Sequence, residues 1–118
     1  HCDFIELDKQ AATQLKSNLT LVNASNTAAT GVHQGDALNI LKGISDAPYD
    51  IIFVDPPFAK GLVAPTLAAI VDNNLVQSGS VIYLEHESTL VTPLLPAHWN
   101  IIKDKQTSAL RYMLIEVN

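Results

Sequence analysis

The residues in this chain best suited to chemistry are four in a row: Asp55, Pro56, Pro57 and Phe58. An ionised Asp55 accepts hydrogen bonds and donates none. Pro56 and Pro57 have no backbone N–H and a fixed φ, so they contribute only carbonyl acceptors, held on a stiff turn. Phe58 adds a flat apolar face. Acceptors beside a stacking ring suit an exocyclic amino group on a planar base. The plainer alternative is a turn that ends a strand, with Phe58 in the core. Asp-Pro or Pro-Pro alone would read that way; the whole pattern, in its context, favours chemistry.

That context is Ile51-Ile52-Phe53-Val54, four apolar residues without a polar break, as expected of a strand buried on both faces. The two prolines stop the strand. In open α/β sheets ligands gather outside the carboxyl ends of strands, so the turn stands where a ligand would be. Upstream, residues 2–7 read as a short buried strand ending in acid. Asp8 is placed to cap a helix of about 9–23, with Ala12, Leu15, Leu19 and Val22 at helical spacing. A polar break at 23–27 and a weaker strand at 28–33 lead to Gly35-Asp36, which turns the chain into a helix of about 37–43. Downstream, a loop through Lys60-Gly61 opens a helix of about 62–74, with Pro65 in its first turn and Leu67, Ile70 and Val71 toward the sheet. Residues 80–85 form a third strong strand, and 88–98 a proline-punctuated connection. Residues 99–105 and 109–117, joined by 106–108, read as an antiparallel hairpin. This order argues an α/β fold in one domain spanning 1–118, with a mostly parallel sheet and an antiparallel edge.

With 118 residues, 47% of them hydrophobic, the chain can bury a real core. No apolar run reaches the ~20 residues of a membrane helix. The single cysteine, Cys2, cannot form an internal disulfide; it reads as a buried strand residue and fits a reducing compartment, the cytoplasm. No Cys/His cluster suggests zinc, and no metal is expected. A net charge of −5 counts against a self-sufficient nucleic-acid binder, because phosphate contact needs clustered Lys and Arg.

Asp55-Pro56-Pro57-Phe58 resembles the (Asp/Asn)-Pro-Pro-(Phe/Tyr/Trp) signature of amino-methyltransferases, which move a methyl group from S-adenosylmethionine to an exocyclic nitrogen. The chain more narrowly resembles the bacterial family that methylates guanine N2 in small-subunit (16S) ribosomal RNA. That match rests on Phe4-Ile5-Glu6-Leu7-Asp8, Gly35-Asp36-Ala37, Ile52 to Phe58 with Gly61-Leu62, and Pro96-Ala97-His98-Trp99. The resemblance covers nearly the whole chain. It implies a Rossmann-like class I methyltransferase fold, S-adenosylmethionine as cofactor, and ribosomal RNA or the small-subunit particle as partner. Asp55, Pro56, Pro57 and Phe58 would be catalytic, with Asp55 also near the cofactor. DNA adenine-N6 and protein glutamine methyltransferases share the signature and stay open. A catalytically inactive domain fragment is the alternative from another class.

On residues alone, Glu6 is either an acceptor for both ribose hydroxyls or a solvated acid at a helix start. Asp36 can be a helix N-cap. The resemblance implies cofactor roles for both, with Asp36 accepting from the adenine amino group and Ala37 against the ring. None of the five glycines forms a Gly-x-Gly loop, a turn that family members carry before the strand ending in Glu6. An arginine-rich segment of the family is also absent. We therefore expect the C-terminal part of a longer protein, with a central strand missing between those ending in Glu6 and Asp55. Its slot would be left open, closed by direct pairing, or filled by self-association. Elsewhere, Lys60 is a solvated loop lysine or a phosphate contact. Tyr112 and Trp99 read as packing, His33 and His98 as structural, and Arg111 stays undecided. Glu85 and Glu87 should face away from His86, as alternate strand residues do.

Overall fold

The computed structural model describes residues 1–22 and 29–118. The polar break expected at 23–27 lies outside the described residues. The described chain forms two compact units, His1–Ile44 and Ser45–Asn118.

In the first unit, β1 (Cys2–Glu6) leads to α1 (Lys9–Leu21), β2 (Thr30–Gln34) and α2 (Ala37–Ile40). β1 and β2 pair in parallel, from Cys2 opposite Thr30 to Glu6 opposite Gln34. Both helices start as the sequence indicates. The Asp8 side chain accepts from the Gln10 N–H at 2.9 Å, and the Asp36 side chain accepts from the Leu38 N–H at 3.0 Å. Such caps satisfy donors that the first turn leaves unpaired. α2 is shorter than expected, with Leu41 its C-cap. Val22 is the C-cap of α1 and is exposed, so it does not extend the apolar stripe begun by buried Ala12. Cys2 is exposed, not buried as the sequence suggested, because β1 begins there with solvent around its first residue. His33 Nε2 lies 2.9 Å from Asp3 Oδ1, and a side chain at Gly31 would meet that same oxygen at 2.7 Å. Glycine at 31 thus makes room for the cross-strand pair.

The second unit holds β3 (Ile51–Val54), α3 (Val63–Asp72), β4 (Val81–Glu87), β5 (Trp99–Gln106) and β6 (Leu110–Val117). Its sheet runs β3-β4-β6-β5, with β3–β4 parallel and the other two pairs antiparallel. The parallel pairs and the C-terminal hairpin match expectation. The strands nevertheless fall into two sheets, β1-β2 and β3-β4-β6-β5, with β3 at an edge of the larger one. The register shifts between Ile101 and Lys103, where the hairpin accommodates one extra residue on β5. Thr107 closes the turn, its N–H donating to the Leu110 carbonyl at 2.7 Å and its hydroxyl oxygen accepting from the Leu110 N–H at 3.0 Å.

The core of this unit follows strand alternation. Ile82, Leu84 and His86 of β4 are fully buried, as are Met113 and Ile115 of β6. α3 buries Val63, Leu67 and Ile70, spaced i, i+4, i+7. Val71, expected on that stripe, is 40% exposed because it sits about 100° around the helix from Ile70. The largest departure concerns β3. Its four apolar residues do not form a strand buried on both faces: Val54 is buried, whereas Ile51 is 59% and Phe53 75% exposed. Trp99 is buried at the start of the hairpin, as expected. Ser80, also buried, donates to the Tyr49 carbonyl at 2.7 Å and accepts from the Gln77 N–H at 3.0 Å, tying the entries of β3 and β4 together. Among the described residues no helix is long and apolar enough to cross a membrane.

Arg111, undecided from sequence, forms a bidentate pair with Asp104 across the hairpin, Nε to Oδ1 at 3.0 Å and Nη2 to Oδ2 at 2.6 Å. The Arg111 hydrogen bond, reinforced by its charge, holds the Asp104 carboxyl below its ordinary value. A depressed carboxyl contributes stability that is present above the ordinary aspartate range and lost as pH falls through the lowered folded value. Asp104→Asn is therefore expected to lower the urea midpoint slightly at neutral pH, by the small amount usual for a surface pair. In an acid titration of the midpoint the difference from the parent should close below about pH 4.

Candidate methyl-transfer site

Glu6, Asp36 and Ala37 belong to the first unit, and Asp55, Pro56, Pro57 and Phe58 to the second. In the first unit, parallel pairing brings two acids to the carboxyl ends of neighbouring strands. Glu6 is the last residue of β1, and Asp36 follows β2 by two positions. The Glu6 carbonyl accepts from the Gly35 N–H at 2.9 Å, which fixes the two strand ends against each other. Glu6 Oε1 accepts from the Asp8 N–H at 3.1 Å, and Asp36 Oδ1 is used by its own helix cap. Asp36 is therefore the N-cap that the sequence allowed, and a cap bond to one oxygen leaves the other able to accept. Ala37 opens α2 directly after it. Two carboxylates and a small residue beside a short helix start fit an adenosine, whose ribose hydroxyls and adenine amino group are all donors.

In the second unit, β3 delivers the Asp-Pro-Pro-Phe turn. Val54 is buried and the next residue, Asp55, is exposed, so the strand's end marks the boundary between core and solvent. Pro56 and Pro57 continue without regular structure, and the Phe58 ring is 47% exposed. Ala59 follows at φ 57°, in the left-handed region. The turn thus presents a carboxylate, carbonyls and an accessible aromatic face, as the residue types implied. Lys60 is exposed, which suits either reading made of it.

β4 lies alongside β3, and extending its alternation back to Tyr83 was the signal not used. Tyr83, Glu85 and Glu87 share the face opposite buried Ile82, Leu84 and His86. Burial, then the charge of Glu85, the neighbouring Tyr112 and the charge of Asp55 push the Tyr83 phenol above its ordinary value. Phe53, Tyr83 and Tyr112 form an aromatic row on this face, with ring centroids 5.8 and 6.3 Å apart. Tyr112 packs, as read from the sequence. Glu87 Oε2 accepts from the Ala59 N–H at 3.2 Å, a contact that only the folded chain discloses. Glu85 and Glu87 do face away from His86, as strand alternation requires.

Elements, order and strand ends together are those of a Rossmann-like methyltransferase fold. A solved structure from Haemophilus influenzae, described as a candidate methylase, is 33% identical and superposes with a TM-score of 0.85 over 98% of this chain and 71% of its own. The chain belongs to the family described as "conserved hypothetical protein 95", whose model matches residues 1–116. Ribosomal RNA small subunit methyltransferase D of Haemophilus influenzae is 35% identical over 115 residues, covering 96% of this chain and 58% of that protein. The Escherichia coli K12 protein of the same name is 33% identical over 114 residues, 95% of this chain and 54% of its own. The chain spans little more than half the length of these curated relatives.

Proposed function

We propose that this chain serves S-adenosylmethionine-dependent methyl transfer to the exocyclic N2 of a guanine in small-subunit ribosomal RNA, in the cytoplasm. The observation that carries the reading is the Asp55-to-Phe58 turn, which leaves buried Val54 and exposes both its carboxylate and its ring. The names of the curated relatives support the choice of RNA.

S-adenosylmethionine, when bound, supplies an electrophilic methyl group, so the protein's work is chiefly positioning. Glu6 accepts from the ribose hydroxyls, Asp36 from the adenine amino group, and Ala37 lies against the adenine. A base that reacts at an exocyclic nitrogen must leave its stack. Phe58 stacks on the extruded guanine. Asp55 and the Pro56 carbonyl accept from the N2 amino group, which orients the nitrogen lone pair and stabilises positive charge as it develops. Pro57 keeps the turn rigid. Asp55 is also a place for the released proton to go.

The test is methyl transfer from isotopically labelled S-adenosylmethionine by the intact protein, with naked small-subunit RNA and assembled small subunits as separate substrates. Digestion to nucleosides identifies the product. Label in N2-methylguanosine is expected. Label in N6-methyladenosine, or in the protein fraction of the subunits as methylglutamine after its hydrolysis, would replace the substrate assignment, and the absence of any labelled product would overturn the reading.

A further inference from the structure

We propose that Glu87 is a positioning residue for Phe58, acting as a latch that holds the Asp-Pro-Pro-Phe turn through the backbone N–H of Ala59. The proposal rests on the reading of Phe58 as the stacking face, but the latch itself rests on geometry alone. Glu87 ends β4, and its Oε2 accepts from the Ala59 N–H at 3.2 Å, across 28 residues of sequence. Ala59 immediately follows Phe58 and has φ 57°, a conformation that a residue with a Cβ does not favour. Pro56 and Pro57 offer no N–H, so neither can donate a bond that ties the turn down. Ala59 supplies a donor immediately past the ring, and an ionised acceptor makes the stronger bond to it.

Glu87 is itself braced. The fully buried His86 ring donates from Nδ1 to the Glu87 carbonyl at 2.7 Å, since a carbonyl only accepts. Its Nε2 is hydrogen-bonded to the Thr92 hydroxyl at 3.0 Å. Leu110 pairs with Glu87 on the β6 side. The strand end therefore has a fixed backbone, from which one carboxylate reaches the motif's loop. Glu87 does not need to touch the base; it sets where Phe58 can stand.

Reach and charge can be separated with two conservative changes. Glu87→Gln keeps the length and an acceptor oxygen but loses the charge. Glu87→Asp keeps the charge but is a methylene too short. In the intact protein, Glu87→Asp and Glu87→Ala are expected to speed amide hydrogen exchange at Ala59 and to lower kcat/KM for RNA, each about tenfold, the loss of one charge-assisted hydrogen bond. Affinity for S-adenosylhomocysteine should not move, and Glu87→Gln, which keeps a neutral bond of the same reach, should recover part of both losses. If Glu87→Asp behaves like the parent and Glu87→Gln like the Ala variant, charge and not the latch is at work, and the proposal fails. Unchanged exchange at Ala59 in every variant also overturns it. If the parent methylates no RNA, the functional reading fails separately, and exchange at Ala59 alone decides the latch. Glu87→Gln and Glu87→Asp give the answer even if Glu87→Ala does not fold.

Discussion

Asp55→Ala in the intact protein is expected to lower the rate of methyl transfer by about 10²- to 10³-fold, the usual consequence of removing a preorganised group aimed at developing charge. Affinity for S-adenosylhomocysteine, measured by calorimetric titration, should stay close to that of the parent. The reason is local. Asp55 is exposed at the end of β3, directly after buried Val54, so truncating it removes no core contact and should leave the strand in place. What would be lost, on the proposed function, is the acceptor that orients the amino group and answers its positive charge. A KM effect without a kcat effect would mean that Asp55 only holds the base. Near-normal turnover would refute its role outright.

Leu84→Ala should have the opposite profile, a large loss of stability at a residue shut away from solvent. Leu84 is fully buried at the middle of β4, in register with Val54 on one side and Met113 on the other, themselves buried. Deleting its branched end leaves a cavity that rigid strands on both sides cannot close, so a loss of about 2–5 kcal/mol is expected. Urea denaturation would show it as a lower midpoint with little change in slope. Phe53→Ala, one position before Val54 on the neighbouring strand, provides the control. Its ring is 75% exposed, so its loss should stay well below that of Leu84. Equal losses would mean that the open face of β3 is covered in solution.

That pair of variants also shows where sequence reasoning reached its limit. Ile51-Ile52-Phe53-Val54 is an uninterrupted apolar run, and such a run indicates a strand without saying what covers each face. β3 stands at a sheet edge, and only Val54 of the four is buried. Features written in local chemistry were legible. Asp8 caps α1, the Asp55 turn ends β3, and the hairpin turns at 107–109, one residue beyond the expected 106–108, because each depends on neighbours in sequence. The opposed directions of His86 and its two glutamates followed from a period of two. The Arg111–Asp104 pair needed the hairpin register, and that register carries an extra residue near Ile102 which no pattern in the sequence announces. The Glu87 contact to Ala59 was invisible for the same reason: it joins loop and strand 28 residues apart.

The two prolines after Asp55 have a consequence for selectivity. An ordinary loop alternates N–H and C=O groups, and a nucleobase with either kind of edge can find a partner there. Here two successive residues lack the N–H, and the residue before them carries an acceptor side chain. From the Asp55 side chain through Pro57 the turn thus offers acceptors and no N–H from either proline. A carbonyl oxygen of uracil would meet lone pair against lone pair there, whereas an exocyclic amino group would bring protons to these acceptors. On the proposed function, discrimination between bases would begin before any methyl group moves, as a sieve built by leaving donors out.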